Sequence, residues 1–233
     1  MKKHCKMLII YSLTSVALLV CVKVFSETVT TLAEGDDVKR NVCIVIDPGH
    51  GGEDGGAVSC SGTPESTYNL EISQRLKDMM NLLGYQTIMI RNDDISVYTK
   101  GETLAQKKTS DLKERVRRVN ETPGGVLISI HQNYFGDSQY SGAQVFYAKT
   151  EGSEQLAKKL QEQFVKTVNP GSRRQAKKSS GVYLMEHIQR PGILVECGFL
   201  SNAAEESRLR DQEYQKKLGA VIATSVSQYL SNT

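Results

Sequence analysis

The chain has 233 residues, 39% of them apolar and 24% charged, with a formal net charge of +3. Those values exclude a disordered or fibrous polymer and allow one sizeable core. The excess charge sits in the first 26 residues, which carry four basic and no acidic side chains; 25 basic and 26 acidic side chains remain, so nucleic acid is not indicated as a partner.

In chain order, Lys2, Lys3 and Lys6 precede an apolar stretch over residues 7–22, and Lys23 and Val24-Phe25-Ser26 follow it. This is the layout of a secretory signal peptide over residues 1–26, or of a signal anchor if it is retained. The stretch is short for a bilayer span, so membrane contact is expected only through an uncleaved N-terminal segment. Val20 before Cys21 is not the small residue of a lipoprotein site. A polar linker follows over residues 27–40, and a single domain is expected over 41–233.

From residue 41 short apolar strands alternate with amphipathic helices. This predicts an α/β fold: a mostly parallel central sheet flanked by helices on both faces. Strands are expected at residues 42–46, 85–90, 126–130, 143–147, 182–185 and 193–197. A helix over 65–83 carries Tyr68, Ile72, Leu76, Met79 and Leu83 at helical spacing, and Gly84 stops it. Further helices are expected at 110–121, 153–168 and 213–230, with a polar surface loop containing a helical turn over 95–109. Cys43 and Cys197 lie in apolar runs and read as buried small hydrophobes; Cys60 lies in a polar loop, and no disulfide or zinc-ribbon spacing is present.

Three strands end in a residue capable of metal chemistry. The first runs into Asp47-Pro48-Gly49-His50, the third into His131, and the last into Glu196. Ligands of open α/β sheets bind at the carboxyl ends of strands. Of His50, His131 and His187, the three histidines beyond the leader, two therefore stand at strand ends. The glycines around His50 would turn the chain sharply, and without a Gly-Lys-Ser/Thr ending they do not form a phosphate loop. Two imidazoles and one carboxylate make an open catalytic zinc site, and Glu53, Asp54, Glu65 and Glu71 are all candidates for the carboxylate; Glu65 would stand in the first turn of its helix. Glu196 interrupts the apolar run Ile193-Leu194-Val195-Glu196-Cys197-Gly198-Phe199 and needs a partner. A structural arginine would serve, and so would a metal-activated water, for which Glu196 would act as general base. The cluster Arg173, Arg174, Lys177 and Lys178 reads either as a solvated loop or as a substrate contact.

Ile46-Asp47-Pro48-Gly49-His50-Gly51-Gly52, Glu65 with Asn69-Leu70, Ser129-Ile130-His131-Gln132-Asn133, the strand of residues 142–147, and Val195-Glu196-Cys197-Gly198-Phe199-Leu200-Ser201-Asn202 together resemble the type 3 family of N-acetylmuramoyl-L-alanine amidases, co-linearly over residues 41–230. The resemblance implies that His50, Glu65 and His131 bind one zinc ion and that Glu196 is the catalytic acid/base. It implies a peptidoglycan substrate, cut between N-acetylmuramic acid and L-alanine, with Asn133 and Arg174 as candidate substrate contacts. The small single-domain form with a leader is similar to germination-specific members, which act on spore cortex peptidoglycan ahead of muramic-δ-lactam formation. That places the protein outside the cytoplasm, in the spore envelope or cell wall. Ser153 opens a helix directly after residues 142–147, leaving no room for the family's autoinhibitory insertion. With no separate wall-binding module visible, an activating or localising protein partner is a reasonable expectation. Two other readings stand beside this one: a zinc peptidase acting within stem peptides, and a partner-controlled peptidoglycan-binding protein of weak activity.

Overall fold

The run Cys43–Pro48 is buried along its whole length, as expected of a strand with neighbours on both edges and helices over both faces. In the computed structural model the described residues are 41–232, together with Lys23 and Lys39. But for those two lysines, the expected leader and linker lie outside the described residues. Residues Arg40–Thr233 form one unit. No helix of the described residues is long and apolar enough to cross a membrane.

Six strands build one sheet: β1 (Cys43–Pro48), β2 (Gln86–Met89), β3 (Gly125–Asn133), β4 (Gln144–Tyr147), β5 (Lys177–Lys178) and β6 (Gly192–Phe199). Their order is β2-β1-β3-β6-β4-β5. The first four in that order run parallel, β4 is antiparallel to β6, and β5 pairs parallel with β4. The expected mostly parallel sheet is thus present, with a reversed edge. Lys177 and Lys178 of the basic cluster occupy the two-residue edge strand and are exposed, where lysines discourage pairing with another chain.

The helices are α1 (Glu65–Leu82), α2 (Leu104–Glu121), α3 (Ser153–Thr167), α4 (Tyr183–His187), α5 (Ala203–Arg210) and α6 (Gln212–Leu230). α6 packs against both α1 and α3 on one face of the sheet, and α2 packs with α4 on the other. α1 buries Tyr68, Ile72, Leu76 and Met80, so Met80 rather than Met79 holds the fourth core position. Each such burial is worth roughly 1.5–3 kcal/mol. On the opposite face Val45, Leu127 and Leu194 of the sheet meet Val119 of α2 and Leu184, Met185 and Ile188 in and beside α4.

Residues 182–185, expected as a strand, instead form most of a short helix, α4. A short apolar run fits either period, and here the helical turn is what directs Leu184 and Met185 together into the α2 cluster. The expected loop at 95–109 likewise ends early. Thr103 caps α2 through Gln106 N, and the Gln106 side chain accepts from the Thr103 N–H, so the helix begins at Leu104. The α5 helix, not anticipated, is capped by the Asn202 side chain, which accepts from Ala204 N and Glu205 N. Cys43 and Cys197 are buried and Cys60 is exposed, with all three thiols free.

Candidate active site

The site forms where β1, β3 and β6 end. The chain leaves β1 through Asp47 and Pro48 into a turn in which His50 adopts φ +60°, a left-handed conformation unusual for a residue with a side chain. Two buried guanidinium groups hold this turn. Arg91 donates from Nε to Pro48 O at 2.9 Å and from one terminal nitrogen to Gly49 O at 3.1 Å and Ser66 O at 2.8 Å. Arg115, on α2, donates to Asp47 Oδ1 at 2.5 Å, to Pro48 O at 2.9 Å and to His50 O at 2.8 Å. The Ser129 hydroxyl donates to the other Asp47 oxygen at 2.6 Å. Burial works against the Asp47 charge, but Arg115 and Ser129 hold its carboxyl below the usual range.

His131 projects from β3 beside this turn. The His50 and His131 rings meet edge to face, with centroids 5.1 Å apart. Gly49 is required by that approach, since a Cβ there would lie 2.2 Å from His131 Nε2. Gly56 has the same role on the other side, where a Cβ would lie 2.6 Å from Glu65 Oε2. Glu65, the first residue of α1, joins the two rings: its Oε2 is 3.2 Å from His50 Nε2 and its Oε1 is 3.0 Å from His131 Nδ1. Its carboxylate also accepts from Ala57 N, Gln132 N and Asn69 Nδ2, each at 3.1 Å. Burial opposes the charge on Glu65, yet the bonds to His131 and His50 keep its carboxyl far below the ordinary carboxylate range.

Each of His50, Glu65 and His131 offers one ligand atom, and these atoms lie within 4.8 Å of one another. Two imidazoles and a carboxylate at that spacing can hold a divalent metal. Of the acidic candidates near His50, Glu65 alone touches both rings. Glu53 pairs with Lys107, Asp54 lies against the far nitrogen of His50, and Glu71 accepts from Gln215 on α6.

Glu196 completes the arrangement. It is the Cα partner of His131 across the β3–β6 ladder, so the two side chains leave adjacent strands on one face. Its Oε2 is shielded from solvent and has no hydrogen-bond partner, so neither an arginine nor any other described residue satisfies it. Burial pushes this carboxyl up to about 7, with the Glu65 charge adding to the rise and His131 and His50 opposing it. A cavity of about 330 Å³ opens beside His50 and His131, walled by Leu112 of α2 and by Val182 and Tyr183.

A model of the family described as N-acetylmuramoyl-L-alanine amidase matches residues 44–228. The chain belongs to that amidase family. The germination-specific N-acetylmuramoyl-L-alanine amidase of Bacillus subtilis (strain 168) is 36% identical over 190 residues, spanning 81% of this chain and 79% of that protein. The structure of the CwlD amidase from Clostridioides difficile, in complex with the GerS lipoprotein, superposes with a TM-score of 0.79 at 36% identity, covering 83% of this chain and 100% of that one. An N-acetylmuramoyl-L-alanine amidase from Clostridium difficile 630 superposes with a TM-score of 0.71 at 29% identity over 81% of this chain and 96% of its own.

Within this amidase His50, Glu65, His131 and Glu196 come together, whereas Arg174 stands outside the group. Asn133 ends β3 at a break in register, where its backbone carbonyl accepts from Leu200 N at 2.8 Å. Arg174 is held by Ser141 O at 3.0 Å and Gln144 Oε1 at 3.2 Å, over the Phe199 ring at 5.0 Å. With Arg173, Lys158 and Lys166 it lines a separate groove of about 690 Å³ that contains none of His50, Glu65 and His131. His187 is also elsewhere, stacked on Tyr183 with centroids 3.9 Å apart. The roles of Arg91, Arg115, Asn69 and Gly49 escape the sequence reading. Asp47, a carboxylate closing an apolar strand, was the available signal that a buried cation such as Arg115 had to exist.

Proposed function

We propose that the protein is a zinc-dependent hydrolase of the amide bond between N-acetylmuramic acid and L-alanine, acting outside the cytoplasm on spore cortex peptidoglycan ahead of muramic-δ-lactam formation. The observation that carries the reading is the convergence of His50, Glu65 and His131 beside the unpaired Glu196 oxygen. His50, Glu65 and His131 would hold the ion, and Glu196 would be the acid/base. A bound zinc ion supplies Lewis-acid polarisation of the scissile carbonyl and of the attacking water. Glu196 takes a proton from that water as its oxygen joins the carbonyl carbon, and delivers it to the amide nitrogen as the C–N bond breaks. The products are the lactyl carboxylate of muramic acid and a peptide with a free L-alanine amine. The cortex assignment draws on the germination-specific relative in Bacillus subtilis. A protein partner belongs to the same proposal, supported by the similar CwlD structure solved with a lipoprotein. Purified protein that is fully active alone would argue against obligatory activation.

Zinc-supplemented digestion of purified cortex peptidoglycan, read by mass spectrometry, tests the reaction. The expected fragments are intact glycan chains with peptide-free muramic acid and peptides beginning at L-alanine. Peptides cut internally, with L-alanine still on muramic acid, would instead identify a stem-peptide peptidase. His50→Ala and His131→Ala are expected to lose zinc by elemental analysis. Gly49→Ala is expected to lower zinc affinity at least about tenfold, because the new methyl displaces the His131 ring. Unchanged affinity in that variant would show that the ring has room to move.

A further inference from the structure

We propose that Asp54 is a positioning residue for the His50 imidazole, and that Lys108 of α2 anchors Asp54 in that role; the proposal rests on the zinc reading above. Both ring nitrogens of His50 are engaged: Nε2 lies 3.2 Å from Glu65 Oε2 and Nδ1 lies 3.1 Å from Asp54 Oδ2. Glu65 stands on the Nε2 side, so Nδ1 is the nitrogen left to hydrogen-bond. When an ion is held at Nε2, a carboxylate at Nδ1 accepts the proton that remains on that nitrogen and fixes the orientation of the ring. Asp54 therefore acts on the ring from behind, and it does not belong to the converging set of donors.

Asp54 sits on a glycine-rich loop and is itself a quarter exposed, so it needs an external tether. Lys108 Nζ lies 2.9 Å from the other Asp54 oxygen, Oδ1. One residue earlier in each segment, Lys107 and Glu53 pair at 2.7 Å. Lys108, Asp111 and Arg115 share one face of α2 by their spacing, and Arg115 donates to His50 O at 2.8 Å. One helix thus holds His50 at two points, the backbone through Arg115 and the ring through Lys108 and Asp54. An ordinary exposed ion pair contributes little to stability, so the effect of this one is expected in metal affinity.

The test measures zinc affinity of the full chain by competition with a chromophoric chelator, together with the ¹⁵N shifts of the His50 ring and the unfolding temperature of the metal-free protein. Asp54→Ala is expected to weaken zinc binding by about 10- to 100-fold. In the zinc-loaded protein the Nδ1–H signal of His50 should shift as its hydrogen bond to Asp54 is lost, while the unfolding temperature of the metal-free protein stays at the wild-type value. Asp54→Asn keeps an acceptor oxygen and should fall between the two; it decides the matter if Asp54→Ala fails to fold. Lys108→Ala is expected to weaken zinc binding less than Asp54→Ala, and Lys108→Arg to restore it. Asp54→Ala and Asp54→Asn within twofold of wild type, with His50→Ala losing zinc, would overturn the proposal. Zinc retained by His50→Ala would overturn the underlying zinc reading instead.

Discussion

Replacing Glu196 by Gln is expected to reduce amide hydrolysis by about 10²- to 10⁴-fold, the usual contribution of a positioned acid/base, while zinc content stays at the wild-type level. The same substitution is expected to stabilise the metal-free protein at neutral and alkaline pH. Burial raises the Glu196 carboxyl from 4.5 to about 7, so the folded chain retains a proton that the unfolded chain releases near 4.5. Wild-type stability therefore falls as pH rises from 4.5 to about 7, whereas the neutral amide of the variant has no charge to bury. The gap between the two proteins should be absent below pH 4.5 and reach at most about 3 kcal/mol above pH 7. Urea unfolding of both metal-free proteins across that range measures it. Equal stability at pH 8 would mean that the carboxylate is well solvated, and unimpaired turnover would remove Glu196 from the chemistry.

Replacing Arg115 by Met is expected to have the largest effect on stability, a loss of about 3–5 kcal/mol, because it leaves the Asp47 carboxylate buried without its cation. At roughly 2–4 °C per kcal/mol for a chain of this size, the unfolding midpoint should fall by about 6–20 °C. The carbonyls of Pro48 and His50 lose their donor in the same step, so zinc affinity should fall as well. Adding Asp47→Asn to Arg115→Met should recover part of the stability, since no buried charge then remains, without restoring the His50 turn. Thermal melts and zinc titrations of the single and double variants separate these effects. If Arg115→Met melts within a degree of wild type, the Asp47 carboxylate must have found water or another cation.

Much of this protein was legible before folding was considered. Strand β1, the third and sixth strands and helix α1 are written in local periodicity, and the placement of His50 and His131 at or near strand ends follows from reading where each apolar run stops, whereas β6 continues to Phe199 and holds Glu196 within the strand. Where local patterns are short or compete, the reading gave way. Residues 182–185 fit either period until packing beneath α2 selected a helical turn. The start of α2 rested on a capping pair, Thr103 and Gln106, inside a stretch otherwise polar enough for a loop.

The inventory of reactive groups and the strands that present them are local properties of the chain. Which of those groups face one another is set by packing between distant segments. Glu53, Asp54, Glu65 and Glu71 are chemically alike along the chain, and only the docking of α1 over the ends of β1 and β3 puts Glu65 between two imidazoles while Asp54 takes the reverse side of one ring. Arg115 reaches Asp47 across 68 residues of sequence, and Glu196 is left unpaired by the absence of any described cation at its oxygen. The physical reason is common to these cases: local periodicity is set by neighbours a few residues away, whereas the pairing of buried charges depends on contacts that exist only after the sheet has closed under its helices.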